Sequence, residues 1–450
     1  MPRKNEIVTL FAESYTSKGE AVCRMDGFVV FVPGMLRGER AAVRLLKVKK
    51  AYAYGKIVEL LEKSPHRREP GCKSYPQCGG CQLRHMSYEE ELALKHLLVS
   101  DAMKRIGGVS PTVHQVAASP VQQHYRNKTQ LPVGQIGDSI ATGFYAARSH
   151  RLVPCRNCLL QDTRADAASD ALLRYMKESG ADAYDETTCR GLIRRLYLRF
   201  GSDGRKVMVC VVTNGRELPL PKLLCRLMRE ALGNGVTVVQ NINCDSTNVI
   251  LGKEMIPLLG SGRIEDTLCG LEFVVSPHSF FQVNHSQTQR LYSKALELAS
   301  LTGKEIVLDL YCGIGTITLL FARRVQYAYG VEAVSRAVEN ARENAVRNGI
   351  ENVTFLCGDA AQAAERFEKK QVDVVIVDPP RSGCDARLID AIKRIAPKKM
   401  VYISCNPATL ARDVNSLSNA CFQVGEVFPF DMFPGTAHVE TIVLLQRRDT

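Results

Sequence analysis

Two short loops carry side chains able to do covalent chemistry. In Val401-Tyr402-Ile403-Ser404-Cys405-Asn406-Pro407 an apolar strand runs into a polar turn. Asn406 suits a helix N-cap and Pro407 the first helical position. Cys405 then lies beside a helix N-terminus, whose partial positive charge lowers a thiol pKa, and is a candidate nucleophile. The alternative, open to most of the 16 cysteines, is an inert buried thiol. In Val374-Val375-Ile376-Val377-Asp378-Pro379-Pro380-Arg381 a second buried strand ends in a carboxylate and a guanidinium.

A third segment, Ile306-Val307-Leu308-Asp309-Leu310-Tyr311-Cys312-Gly313-Ile314-Gly315-Thr316, passes from strand through a glycine turn into a helix. Glycines there let the backbone approach a ligand at the carboxyl end of a first strand. Glu332 ends the next strand, 17 residues after Gly315, where an acid can accept both hydroxyls of a ribose. Thr318 stands where a dinucleotide fingerprint has its third glycine, so an adenosine without phosphates fits better than a dinucleotide. A purely structural turn is the alternative.

Cysteines also cluster. Cys72-x5-Cys78-Gly79-Gly80-Cys81 brings three thiols close in sequence, and Cys155-Arg156-Asn157-Cys158 offers another from afar. Four thiolates suit zinc as well as an iron–sulfur cluster. Disulfides are the less expected use of cysteine in a long chain with no apolar signal core at its start.

The elements that must position these groups fall into three textures. Val8–Phe11, Gly27–Val32, Glu39–Lys47 and Ala51–Leu61 read as short strands of a small barrel, with Arg40, Arg44, Lys47, Lys49 and Lys50 where phosphates could be met. Residues 64–70 read as a linker, and Glu89–Ile106 as a helix. From Val121 to Gly270 the chain reads as α+β, with a hairpin joining Leu192–Phe200 to Lys206–Thr213. After Ser276 strands at Glu305–Leu310, Ala328–Val331, Val353–Leu356, Val372–Val377 and Met400–Ile403 alternate with helices such as Val334–Asn348. That alternation predicts a doubly wound, Rossmann-like parallel sheet.

Charge divides along the same line. Lys+Arg 59 against Asp+Glu 47 gives +12, yet residues 271–450 hold 20 basic and 20 acidic side chains. The excess therefore lies in the first 270 residues, as it would if the front of the chain held a polyanion and the back worked on it. A surplus that only aids solubility is the plainer explanation. The chain contains no run of 18 uncharged apolar residues, so no membrane partner is expected, and the protein is expected in the cytoplasm.

These motifs resemble the S-adenosylmethionine-dependent RNA uridine C5-methyltransferases, most closely the bacterial 23S rRNA branch, over essentially the whole chain. The marks are Phe281-Gln282-Val283-Asn284, the Asp309–Thr316 loop, Asp378-Pro379-Pro380-Arg381, Ser404-Cys405-Asn406-Pro407 through Asp413, and Asp431-Met432-Phe433-Pro434 followed by His438-Val439-Glu440. The resemblance implies Cys405 as nucleophile and Glu440 as base. It places S-adenosylmethionine on Gln282, Tyr311, Glu332, Asp359 and Asp378, with Thr316 where some members carry Asn. It further implies a [4Fe–4S] cluster on Cys72, Cys78, Cys81 and Cys158, with zinc as the alternative. Arg381 and Arg412 become candidate holders of a phosphate or base.

The implied organisation is a TRAM-type, OB-like barrel at 1–63, a central iron–sulfur and RNA-binding α+β domain at 64–85 and 115–270, and a methyltransferase domain at 86–114 and 271–450. The implied partner is 23S rRNA and the implied state a monomer. The same reaction on tRNA, and a non-catalytic RNA-binding or ribosome-assembly protein, are the rival readings.

Overall fold

The structure, a computed structural model, describes residues 2–448. Five strands, β1 (Ile7–Tyr15), β2 (Ala21–Met25), β3 (Phe28–Val32), β4 (Arg40–Val48) and β5 (Tyr52–Glu62), close into a barrel in the order β1-β2-β3-β5-β4. On β4 the alternation is clean: Ala41, Val43 and Leu45 point inward, while Arg40 and Arg44 face solvent. The sequence patterning misses β2 and shortens β1. Ala21–Met25 is short and interrupted by Arg24, and it is a strand because both neighbours pair with it.

Residues 64–70 are not a free linker. Arg67 donates two 2.6 Å hydrogen bonds to the fully buried Glu39 carboxylate and a third, of 2.8 Å, to the Gly34 carbonyl. The segment clasps the barrel. A charged run reads as solvated until its partner is known, and this partner lies 28 residues away.

Helix α1 (Tyr88–Arg105) follows, capped by Ser87, whose hydroxyl accepts from the Glu90 amide. The central sheet comprises β6 (Lys128–Ile136), β7 (Ser139–Tyr145), β8 (Leu152–Pro154), β9 (Ile193–Phe200), β10 (Val207–Thr213), β11 (Val236–Ile242) and β12 (Glu254–Leu259), ordered β12-β11-β10-β9-β6-β7-β8. Helices α2 (Arg164–Ser179) and α3 (Pro221–Leu232) cover one face. Strand β10 is buried on both sides: Val207, Val209 and Val211 pack with those helices. Met208, Cys210 and Val212 pack into the C-terminal core. An uninterrupted apolar run is the expected signature of such a strand. The β9–β10 hairpin forms in the expected place.

A two-stranded ribbon, β13 (Ile264–Leu268) and β14 (Leu271–Val275), leads into α4 (His285–Ala299). The C-terminal sheet then builds from β15 (Ile306–Leu310), α5 (Thr316–Ala322), β16 (Tyr327–Glu332), α6 (Ser335–Arg347), β17 (Val353–Cys357), α7 (Ala360–Ala364), β18 (Val374–Val377), α8 (Ala386–Ile395), β19 (Lys399–Ser404), α9 (Pro407–Ser418), β20 (Phe422–Phe430) and β21 (Glu440–Arg447). Its order is β17-β16-β15-β18-β19-β21-β20. Five strands are parallel, as expected. The last two form an antiparallel hairpin with β21 inserted beside β19, which the apolar run Thr441–Leu445 could not reveal. The strand order reverses between β15 and β18, the place where such sheets open a ligand crevice at their carboxyl ends. Helix α1 packs against α9 and β20, on this sheet rather than the central one.

Candidate active site

The crevice forms where the chain leaves β15. Tyr311 (φ 74°), Gly313 (φ 56°) and Gly315 (φ 84°) turn left-handed, and α5 starts at Thr316. A Cβ on Gly315 would meet the Phe355 ring at 3.0 Å, so the turn closes only on glycine. Glu332, at the end of β16, accepts the Gly313 amide at 3.1 Å and the Val334 amide at 2.9 Å. Those bonds aim its carboxylate at the glycine turn and leave lone pairs free. Thr318 replaces the third glycine for a reason: its hydroxyl donates a 2.5 Å bond to Asp309 Oδ2. The other oxygen, Asp309 Oδ1, is buried with no partner, and burial pushes this carboxyl up to about 7. Asp359 caps α7, accepting the Gln362 amide at 3.0 Å, just past the end of β17.

Asp378 stands at the end of β18 and Cys405 at the end of β19, on the same edge. β21 runs the other way, so its first residue, Glu440, joins them: Ser404 pairs with Thr441, and Cys405 and Glu440 flank that rung. Glu440 is buried and its Oε2 has no hydrogen-bond partner. Burial first, then the Asp378 charge, pushes the Glu440 carboxyl well above the carboxylate range, and Arg381 partly offsets this. The Cys405 thiol is pushed up to about 11 by burial and by Glu440 and Asp378. Its expected depression is thus reversed, although Asn406 does cap α9 and Pro407 does open it. Two facing carboxylates and desolvation outweigh one helix terminus.

Tyr292 was not legible as a site residue. It is buried on α4, its hydroxyl lies 3.4 Å from Thr316 Oγ1, and burial together with the charges of Asp378, Asp309 and Glu440 keeps it protonated. Its only sequence signal is helical apolar spacing, shared with ordinary core residues. Gln282 lies buried between β14 and α4, with Asn127 donating to its carbonyl at 3.0 Å. Among the described residues its side chain hydrogen-bonds to none of the others named here.

The two arginines differ. Arg381 reaches His438, with its guanidinium nitrogen 3.4 Å from Nε2, and its charge acts on both Cys405 and Glu440. Arg412 is instead a strut: it donates to the carbonyls of Ser382 (3.0 Å) and Cys384 (2.9 Å) and to Asp413 Oδ1 (2.8 Å). These bonds tie the loop after β18 to α9, while the side chain stays half exposed. Asp413 completes the tie, accepting from the Cys384 amide and the Tyr402 hydroxyl.

The segment before Glu440 is anchored by a buried ion cluster that sequence motifs did not expose. Lys95 on α1 donates 2.6 Å bonds to both Glu91 and Asp431. Tyr88 donates to Asp431 at 2.7 Å, and the Gly435 amide donates to Glu91 at 2.8 Å. An i,i+4 Glu–Lys pair is ordinary on a helix; the distant Asp431 makes this one internal.

Cys72, Cys78, Cys81 and Cys158 line one cavity of about 170 Å³, and Cys155 joins them. Burial pushes Cys78 up, and pushes Cys81 up to about 11 against the opposing Arg84 charge. Cys158 moves down, because Cys155 donates to it and the amides of Leu160 and Gln161 face it. Among the described residues, no three His, Cys, Asp or Glu are gathered around a single-ion position. The cysteine loop also touches the segment before Glu440, with the amides of Gln82 and Leu83 donating to the Gly435 carbonyl at 3.2 and 3.1 Å.

Known proteins resemble this chain along most of its length. Residues 263–448 match the family model of tRNA (uracil-5-)-methyltransferases, and residues 5–58 match the TRAM domain. An uncharacterized RNA methyltransferase of Clostridium tetani is 41% identical over 98% of this chain and 97% of its own. One from Caldanaerobacter subterraneus subsp. tengcongensis is 44% identical over 96% of both chains. The crystal structure of Pyrococcus abyssi tRNA (uracil-54, C5)-methyltransferase with S-adenosyl-L-homocysteine superposes with a TM-score of 0.77. It is 28% identical and covers 97% of this chain and 100% of its own. The chain therefore belongs to the S-adenosylmethionine-dependent RNA uracil C5-methyltransferase family.

Proposed function

We propose that the protein methylates C5 of a uridine in 23S rRNA, in the cytoplasm and as a monomer, through a transient bond between Cys405 and the base. The observation that carries this reading is that Cys405 and Glu440 flank the Ser404–Thr441 pair at adjoining strand ends, with the Asp378 charge acting on both. Uracil C5 is a weak nucleophile. Addition of the Cys405 thiolate to C6 moves the C5=C6 electrons toward O4 and makes C5 nucleophilic. Bound S-adenosylmethionine supplies an electrophilic methyl group on a sulfonium. Glu440 then takes the proton from C5, the C5=C6 bond re-forms, and the C6–S bond breaks to release the thiolate. Arg381, whose charge reaches both groups, favours the ionised forms that the two steps need. The target base must leave its stack to reach this crevice.

The cofactor assignment to Gln282, Tyr311, Glu332, Asp359 and Asp378 rests on the glycine turn and on the carboxylates at the ends of β16, β17 and β18. The unpartnered Asp309 Oδ1 and the lone pairs of Glu332 suit a ligand rich in hydroxyl and amine donors. For the cysteines we favour a [4Fe–4S] cluster on Cys72, Cys78, Cys81 and Cys158. The donor set is all thiol, and Arg84 and Arg126 border the cavity with positive charge. Zinc, which also takes four thiolates, is the alternative occupant. The division into a barrel, a central domain and a methyltransferase domain that includes α1 belongs to the same proposal; residues 1, 449 and 450 of those ranges lie outside the described residues.

A tRNA substrate is the second reading, and one observation favours it. The Pyrococcus abyssi tRNA enzyme matches 97% of this chain, front half included, so a fold of this kind is compatible with a tRNA substrate. Transfer of labelled methyl to unmodified 23S rRNA and to unmodified tRNA transcripts separates the two. Incorporation into 23S rRNA alone is the expected result. Incorporation into tRNA alone selects the second reading, and binding without transfer to either makes this an RNA-binding protein.

A further inference from the structure

On the outer wall of the barrel, Phe31, Tyr52 and Tyr54 form a closed triangle, each ring centroid 5.7 Å from the other two. Phe31 on β3 pairs with Tyr54 on β5, and Tyr54 pairs in turn with Lys47 on β4. Residues directly opposite on neighbouring strands share a face, so rings and ammonium group stand side by side. Tyr52 is 36% exposed, and its carbonyl accepts the Lys49 amide at 2.8 Å. Neither tyrosine hydroxyl has a hydrogen-bond partner among the described residues, and Lys47, Lys49 and Lys56 are exposed and make no ion pair among them.

This wall is free. The barrel docks on α1 elsewhere, through Tyr15, Leu36 and Arg37, with Tyr15 and Arg37 bonding to Glu90. Three rings that brace one another at fixed angles form a rigid apolar platform, and the unpaired ammonium groups give it a cationic border. That pairing of features suits a polymer whose bases have flat faces and whose backbone is anionic. Duplex RNA presents its backbone and hides those faces.

We propose that the Phe31–Tyr52–Tyr54 platform stacks unpaired bases of a single-stranded RNA segment while Lys47 and Lys49 hold its phosphates. The proposal deepens the RNA-modifying reading and rests on it for the choice of RNA as ligand. The surface serves to anchor the strand, at a place separate from the crevice.

The chain contains no tryptophan, so Tyr52→Trp in the full-length protein supplies a single fluorophore. The probe is a 12-residue oligoadenylate, which stacks but has no uracil to methylate. Emission should be quenched by oligoadenylate and be unaffected by duplex RNA of equal length or by inorganic polyphosphate. In wild-type background, Tyr52→Ala and Tyr54→Ala should each weaken oligoadenylate binding roughly tenfold, and Tyr52→Phe and Tyr54→Phe should retain it. Lys47→Ala should lower the salt slope of binding by about one. Equal quenching by polyphosphate, or oligoadenylate binding without quenching, overturns the proposal. Failure of the methyltransferase reading would appear separately, as no methyl incorporation by wild type, and oligoadenylate binding would still report on the platform. Should the alanine variants misfold, the Tyr52→Trp titration decides alone.

Discussion

Cys405 and Glu440 belong to strands running in opposite directions, yet they meet on one edge because β21 lies beside β19 and Ser404 pairs with Thr441. The influence runs one way: burial, Glu440 and Asp378 push the thiol up, whereas burial and Asp378 push Glu440 up. Under the proposed chemistry, nucleophile and base are both held toward their protonated forms before substrate arrives.

The proposed chemistry assigns the two residues different defects. Cys405→Ala should abolish methyl transfer while RNA binding persists. Glu440→Gln should permit addition and methylation but block loss of the C5 proton. A covalent protein–RNA species that survives denaturing electrophoresis is then expected from Glu440→Gln and not from the Cys405→Ala, Glu440→Gln double variant. Residual turnover by Cys405→Ala would exclude it as nucleophile.

Methyl transfer should rise with pH across the neutral and alkaline range. Both groups act deprotonated, and both are raised in the folded protein. Well below a thiol pKa of about 11 the reactive fraction grows about tenfold per pH unit. Single-turnover rates from pH 6 to 9 measure this. A flat profile would mean that bound substrate resets both groups.

Lys95 has no exposed surface and bridges Glu91 and Asp431. Lys95→Met would leave two buried carboxylates facing each other, at a cost of about 3 kcal/mol or more. The expected readout is a lower urea midpoint. Because Gly435 hangs from Glu91, the rate of transfer should fall as well.

The Arg67–Glu39 clasp should be acid-sensitive. Burial raises the Glu39 carboxyl, but the Arg67 guanidinium and the amides of Leu36 and Ser64 outweigh it and hold it below its usual 4.5. A depressed carboxyl contributes stability above its unfolded value, and this is lost as pH falls through the folded one. Arg67→Ala should therefore destabilise the barrel by about 3 kcal/mol near neutrality, with the difference from wild type shrinking below about pH 4.5. Urea unfolding at pH 7 and pH 4 makes the comparison.

Protein purified without oxygen should be brown with broad visible absorbance, and Cys78→Ser and Cys81→Ser should bleach it. A colourless protein carrying zinc would reject the cluster. Cys155→Ser should keep the colour if Cys158 is the fourth ligand, since Cys155 serves Cys158 as a donor.

Much of this arrangement is readable along the chain wherever the cause is local. Helix α1 is legible from its apolar spacing and the acidic residues of its first turn, and the structure adds the Ser87 cap. The alternation after Ser276 announced five parallel strands, and the glycines announced the turn between β15 and α5. Strand β2, the clasp at Arg67, the antiparallel hairpin and Tyr292 were not visible, since each depends on partners far away in sequence.

The sequence by itself determined which residues stand at the strand ends and that Asn406 and Pro407 start a helix there, because caps and strand termini are local properties of the backbone. Only the tertiary structure decided the ionisation of Cys405. A thiol beside a helix terminus is expected to be acidic, but folding removes it from water and brings two carboxylates from other strands beside it. Proton affinity depends on charges within a few ångströms in space, and the spacing of letters in a chain does not carry that information.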